Sequence, residues 1–160
     1  SALNSLTTGN YNVAMGREAG FYPKARNNPT TTANNQTTIG SRSGQVDSNP
    51  ADNLTTLGFQ SIGAKNSTAL GAYVEARGVG SVAIGLDSDG KFAIAGKDDE
   101  FVLGTEKHHV KAKGRLNIRQ FTPSGSNDPQ GEIGDITSDD NYIYVKTLQG
   151  WKRSALESWQ

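Results

Sequence analysis

Five times in the first half of the chain, an aliphatic residue preceded by small or β-branched residues is followed directly by glycine. The units are NVAMG from Asn12 to Gly16, TTIG ending at Gly40, TTLG ending at Gly58, STALG ending at Gly71 and SVAIG ending at Gly85. Their closing glycines lie 24, 18, 13 and 14 residues apart. The last two intervals set the period, and the first two are the same period carrying insertions that read FYPKARNNPTTTANN and SGQVDSNPADN. Each unit is too short and too poor in helix formers for a helix. Val, Thr and Ile favour a strand, and the glycine frees the backbone to bend after it. One such strand cannot bury its apolar face alone, so successive units must stack into a coil or roll. The stack would align Met15, Ile39, Leu57, Leu70 and Ile84 as a narrow apolar ladder, which three copies packed around an axis would cover.

Composition points the same way. Of the 160 residues, 60 are Gly, Asn, Thr or Ser, and only 34% are hydrophobic. A chain of this size and polarity buries only a modest core unless subunits share one, so oligomerisation is expected. Disorder is the other reading of such a composition, but the regular apolar punctuation and zero formal charge argue against it. With 16 basic and 16 acidic residues there is no electrostatic footprint for nucleic acid or an anionic membrane. No apolar run approaches the ~20 residues of a spanning helix. The absence of cysteine excludes a disulfide framework, thiolate zinc sites and a cysteine nucleophile, and leaves His108 and His109 as the only imidazoles. A first residue of Ser1 instead of Met leaves a tag scar, a chosen boundary and a processed product all open.

From about Leu86 the pattern reads as hairpins, with acidic turns at Asp87–Gly90 and Lys97–Glu100 between apolar arms at 82–86, 92–95 and 101–103. A further strand is expected over Leu116–Phe121, a loop over PSGSNDPQG at 123–131, and a closing hairpin with arms Tyr142–Lys146 and Trp151–Ser154. The expectation is an all-β chain: a homotrimeric, β-roll-like repeat region at 1–86 followed by a β-hairpin meander and tail module at 87–160.

The units NVAMG, STALG and SVAIG resemble the head repeats of trimeric autotransporter adhesins and of many phage fibres, a family of trimeric β-rolls with the aliphatic side chains inside. The tail resembles a module found at the ends of phage tail fibres and tailspikes, on Gly134-Asp135, Tyr142-Ile143-Tyr144-Val145 and Trp151-Lys152-Arg153. Taken together with Ser1, the chain resembles the C-terminal chaperone domain of the neck appendages, or tailspikes, of small tailed Bacillus phages. That resemblance implies a homotrimer that acts as an intramolecular chaperone on the upstream part of its own polypeptide, during virion assembly in the host cytoplasm. It also implies release by self-cleavage before a serine, and an ATP site linked to release.

For that cleavage, the Ser1 hydroxyl would attack the carbonyl on its N-terminal side, giving an ester that water resolves. Such a step needs a base for the hydroxyl proton and a donor for the oxyanion. Asn4 would supply an amide donor or hold Ser1 in register. No His or Lys occurs in the first sixteen residues, and the D-x-R-x-K context of endosialidase-type chaperones is absent, so the base must come from elsewhere. There is no Walker-type loop; Gly78-Val79-Gly80 is followed by Ser81-Val82 without lysine. The candidate for ATP is the insertion FYPKARNN, where Phe21 or Tyr22 would stack on a base and Lys24 and Arg26 would neutralise phosphates. The alternative is a solvated loop with two ordinary charges.

Other constellations weigh less. Asp87-x-Asp89-Gly90 opens like a calcium loop but reads better as a hairpin turn. His108 and His109 would point to opposite faces of a strand, and the basic residues Lys111, Lys113, Arg115 and Arg119 would share one solvated strand face. Tyr142, Tyr144 and Trp151 form either a carbohydrate platform or ordinary cross-strand packing. The function class that rivals the chaperone is a receptor- or glycan-binding tip retained on a fibre. A glycan-degrading enzyme is disfavoured, because all the acids sit in expected turns.

Overall fold

The computed structural model describes residues 9–20, 33–46, 51–114, 116–118 and 120–157. They fall into two compact units divided between Val110 and Lys111. Along the chain the strands are β1 (Val13–Met15), β2 (Thr37–Ile39), β3 (Gly44–Gln45), β4 (Thr55–Leu57), β5 (Ile62–Gly63), β6 (Thr68–Leu70), β7 (Glu75–Ala76), β8 (Val82–Ile84), β9 (Ile94–Ala95), β10 (Phe101–Leu103), β11 (Ile136–Ser138), β12 (Tyr142–Thr147) and β13 (Gly150–Ala155). No helix occurs among the described residues. The fold is all-β and built from repeated parallel-strand units.

The first unit is a coil of six rungs. One parallel sheet runs β1-β2-β4-β6-β8-β10 and a second, shorter one runs β3-β5-β7-β9. Register is constant: Met15 lies beside Ile39, Ile39 beside Leu57, Leu57 beside Leu70, Leu70 beside Ile84 and Ile84 beside Leu103. The insertions at 21–32 and 47–50 therefore leave the ladder of strands unbroken.

Each rung is an octapeptide: GNYNVAMG, ANNQTTIG, ADNLTTLG, AKNSTALG, GVGSVAIG and KDDEFVLG. Its third residue turns the corner into the strand with positive φ, at Tyr11 (60°), Asn35 (56°), Asn53 (57°), Asn66 (59°), Gly80 (74°) and Asp99 (57°). Asn and Gly tolerate that conformation best, which accounts for half of the asparagine-rich look of the sequence. The amides link adjacent rungs: Asn35 Nδ2 donates to Asn53 Oδ1 at 3.0 Å, and Asn53 Nδ2 donates to Asn66 Oδ1 at 2.9 Å. After the strand, Gly40 (φ 130°) meets the next rung so closely that a Cβ there would lie 2.2 Å from the Gly58 carbonyl oxygen.

The inside of the coil is narrow. Middle strand residues point in and are small: Thr38, Thr56, Ala69 and Ala83 are fully buried. The apolar cluster is Ala69, Val74, Ala76, Ala83, Ala93 and Ala95, with Phe92 and Val102 packed against it. Corner serines are buried but satisfied, each donating to a carbonyl three residues back: Ser43 to Gly40, Ser61 to Gly58, Ser67 to Ala64 and Ser81 to Gly78. Among the described residues only the Thr56 hydroxyl is buried without a hydrogen bond. An orphaned hydroxyl costs about 1–3 kcal/mol, and an apolar group of the same shape removes that cost. Thr56→Val is therefore expected to raise the melting midpoint by several degrees; a lower midpoint would show that the hydroxyl has a partner.

Two expectations are corrected. The aliphatic residue of each repeat does not fill the coil but stands on its outer face, because strand alternation puts its inward-pointing neighbour inside. The hairpins expected across 86–103 give way to a sixth rung: β9 and β10 pair in parallel with β7 and β8. Only the short bridge between Leu86 and Phe92, closed by the Asp87–Gly90 turn, is a true hairpin. Its Asp87 carboxylate accepts from the backbone of Asp89 and Lys91, a turn function and not a metal loop.

The second unit is a three-stranded antiparallel sheet ordered β11-β12-β13. The closing hairpin lies where the sequence places it, with Tyr144 opposite Arg153 and Lys146 opposite Trp151. No strand forms at the described residues of 116–121. Lys111 and Lys113 are likewise outside any strand, so they share no strand face.

Candidate functional site

The residues singled out for cleavage, Ser1 and Asn4, and for nucleotide binding, Phe21, Tyr22, Lys24 and Arg26, lie outside the described residues. The glycine cluster Gly78-Val79-Gly80 is a coil corner: a Cβ on Gly78 would overlap the Lys97 carbonyl. His108 is in a turn and not on a strand. Its Nδ1 accepts from the Thr105 backbone N–H at 2.9 Å, and the Thr105 hydroxyl donates to Asp87 Oδ2 at 2.7 Å. This cluster ties the last turn of the coil to the 87–90 hairpin. No group of three or more His, Cys, Asp or Glu suited to a metal occurs among the described residues, and no helix is long and apolar enough to cross a membrane.

The second unit spends its aromatic side chains on its own packing. Trp151 is 5% exposed, sits 6.0 Å from Phe121 and donates from Nε1 to the Gln130 carbonyl. Arg153 lies over the Tyr142 ring at 4.3 Å. Tyr144 donates to Asp139 Oδ2 at 2.6 Å. That bond, followed by the backbone N–H of Asn141, lowers the Asp139 carboxyl to about 2, and the same bond raises the Tyr144 phenol. A depressed carboxyl stabilises the fold above its ordinary value, and that contribution is lost as pH falls through about 2. In a pH titration followed by carboxyl chemical shifts, Tyr144→Phe is expected to move the Asp139 midpoint up towards 3.8; an unmoved midpoint would contradict this assignment.

The feature that stands out is the outer face of the six-stranded sheet. Strand positions one and three point outward and form two columns. The first reads Val13, Thr37, Thr55, Thr68, Val82, Phe101; the second reads Met15, Ile39, Leu57, Leu70, Ile84, Leu103. None of these residues is charged. Met15 and Phe101 are each 64% exposed and Leu57 is 47% exposed, while the rungs between the ends are at best half-buried by their neighbours. Five strand spacings of about 4.8 Å make the face roughly 24 Å tall. A soluble chain rarely leaves so continuous an apolar strip open to water. The sequence named five members of the second column; Leu103 and the whole first column were missed, although the same octapeptide recurs in KDDEFVLG. No protein-family model, curated protein or solved structure matches the chain.

Proposed function

We propose that this chain is a homotrimeric assembly domain whose outer ladder faces close on one another around a common axis. The observation that supports it is the uncharged double column set against a coil interior made mainly of alanine, serine and threonine. Six rungs with so small an inner core gain little from burying it, whereas the twelve outward residues include nine apolar ones that packing between copies would remove from water. A domain that is stable only as an assembly holds the chains that carry it together.

The fuller reading, taken from the resemblance of the repeats and tail, is a C-terminal chaperone of a phage tailspike. It aligns three spike polypeptides and is then cut away before Ser1. The Ser1 hydroxyl oxygen bonds to the preceding carbonyl carbon as its proton passes to a base. The amide C–N bond breaks with the nitrogen taking up a proton, and water hydrolyses the resulting ester to leave Ser1 with a free amine. ATP belongs to the same proposal, with Tyr22 on the base and Lys24 and Arg26 on the phosphates.

The test is to express the chain behind its natural upstream segment and follow processing by denaturing gel and mass spectrometry. The parent is expected to be cut before Ser1 and Ser1→Ala to remain whole. With ATP added, the cut fragment is expected to change its retention on the spike, and Lys24→Ala with Arg26→Ala to blunt that change. Equal processing of parent and variant, or none in either, would sink self-release and leave the receptor- or glycan-binding tip as the better reading.

A further inference from the structure

The two outward columns differ in a way that matters for alignment. The second column, Met15, Ile39, Leu57, Leu70, Ile84 and Leu103, is aliphatic in every rung. Sliding one copy past another by a rung would set aliphatic against aliphatic again, so this column adheres without choosing a level. The first column reads Val13, Thr37, Thr55, Thr68, Val82, Phe101, with three hydroxyls bracketed by apolar residues. These threonines are half-buried, and no hydrogen bond ties their hydroxyls within the coil.

We infer that Thr37, Thr55 and Thr68 set the axial register between copies of this chain, while the aliphatic column supplies the adhesion. The inference rests on the assembly reading above and deepens it. In water each hydroxyl is solvated. Once the face is covered it must find a partner or carry a desolvation penalty. With copies level, each threonine row meets a threonine row, and a hydroxyl both donates and accepts. Slipping one copy by one rung sets Thr37 against Val13 at one end and Thr68 against Val82 at the other, which strands a hydroxyl at each end. It also moves Phe101 off its own row. The misaligned state is thus disfavoured by unpaired polar groups, not by lost apolar contact. Polar positions inside an otherwise apolar seam fix register in coiled coils by the same physics.

The natural chain has no cysteine, so single cysteines report position cleanly. Leu57→Cys and Leu70→Cys chains, which place thiols on neighbouring rungs, are unfolded together, refolded as a mixture and joined with a short bis-maleimide. Cross-linked peptides are then counted by mass spectrometry, and the assembly mass is measured on the same samples. In the otherwise natural background, links joining like positions are expected to exceed 57-to-70 links by at least about tenfold. Adding Thr37→Val, Thr55→Val and Thr68→Val is expected to bring the two classes towards parity while the chains still associate. If the triple-valine background keeps the like-position preference, register is set elsewhere and the inference fails with the assembly reading intact. If the natural background yields no links between chains and the mass of one chain, the assembly reading itself fails.

Discussion

The Gly40→Ala chain is expected to lose the cooperative melting transition of its coil. Gly40 has φ 130°, a region that residues with a Cβ rarely enter, and its ideal Cβ would sit 2.2 Å from the oxygen and 2.6 Å from the carbon of the Gly58 carbonyl. Both are backbone atoms held by the hydrogen bond from Gly58 N to Ile39 O, so no side chain can swing aside. The rungs would have to separate, breaking the ladder that defines the fold. Backbone strain of this kind costs about 1–3 kcal/mol before the overlap is counted. A small domain has only about 5–15 kcal/mol in total. Gly96→Ala is the control: that glycine has nothing within 4 Å of its ideal Cβ and no positive φ. Thermal melts followed by circular dichroism should show a large loss for the first variant and a shift within about 5 °C for the second. Similar melts for the two would mean that the rungs do not stack as closely as described.

Leu57→Asp carries the second large effect, on association. Leu57 is 47% exposed on the outer face and contributes nothing to the coil interior, so a carboxylate there is tolerated by a single chain in water. In a closed assembly the substitution repeats in every copy and buries like charges beside each other and among aliphatic neighbours. An unpaired buried charge costs several kcal/mol, so the association constant is expected to fall by a factor on the order of a thousand or more. Leu148→Asp makes the same chemical change at a hairpin tip that is 88% exposed, and it is expected to leave the mass unaltered. Sedimentation velocity on both variants separates the predictions. A Leu57→Asp chain of unchanged mass would show that the ladder face is not the contact.

Much of the coil was legible because its signal is local. The aliphatic–glycine step fixes where a strand ends, and the period of 13–14 residues fixes how strands stack, so β1, β2, β4, β6 and β8 lie where the repeats place them. The sixth rung was hidden by charge. Lys97-Asp98-Asp99-Glu100 looks like a solvated turn, yet Asp99 takes the positive-φ corner that Asn53 and Asn66 take elsewhere. The Asp98 carboxylate accepts from the Val79 N–H, and Glu100 from those of Gly96 and Lys97. A charged last rung also suits the end of a stack, where an uncharged edge strand would invite pairing with another chain. The direction of the ladder was harder to read. Val-Ala-Met and Thr-Ala-Leu mark the aliphatic residue as the obvious core candidate, but the corner geometry turns the smaller middle residue inward and leaves the larger ones out. The tail hairpin was legible from its alternation and turn, whereas Leu116–Phe121 was not, because an apolar alternation becomes a strand only where another strand offers it hydrogen bonds.

The central claim is that three copies share the uncharged outer face of the coil. Sedimentation equilibrium of the 160-residue chain at several concentrations tests it most directly. The expected result is a single species of three chain masses that persists on dilution into the low micromolar range. A mass of one chain with a cooperative melt would contradict the claim, because the thin core of the coil would then be sufficient by itself.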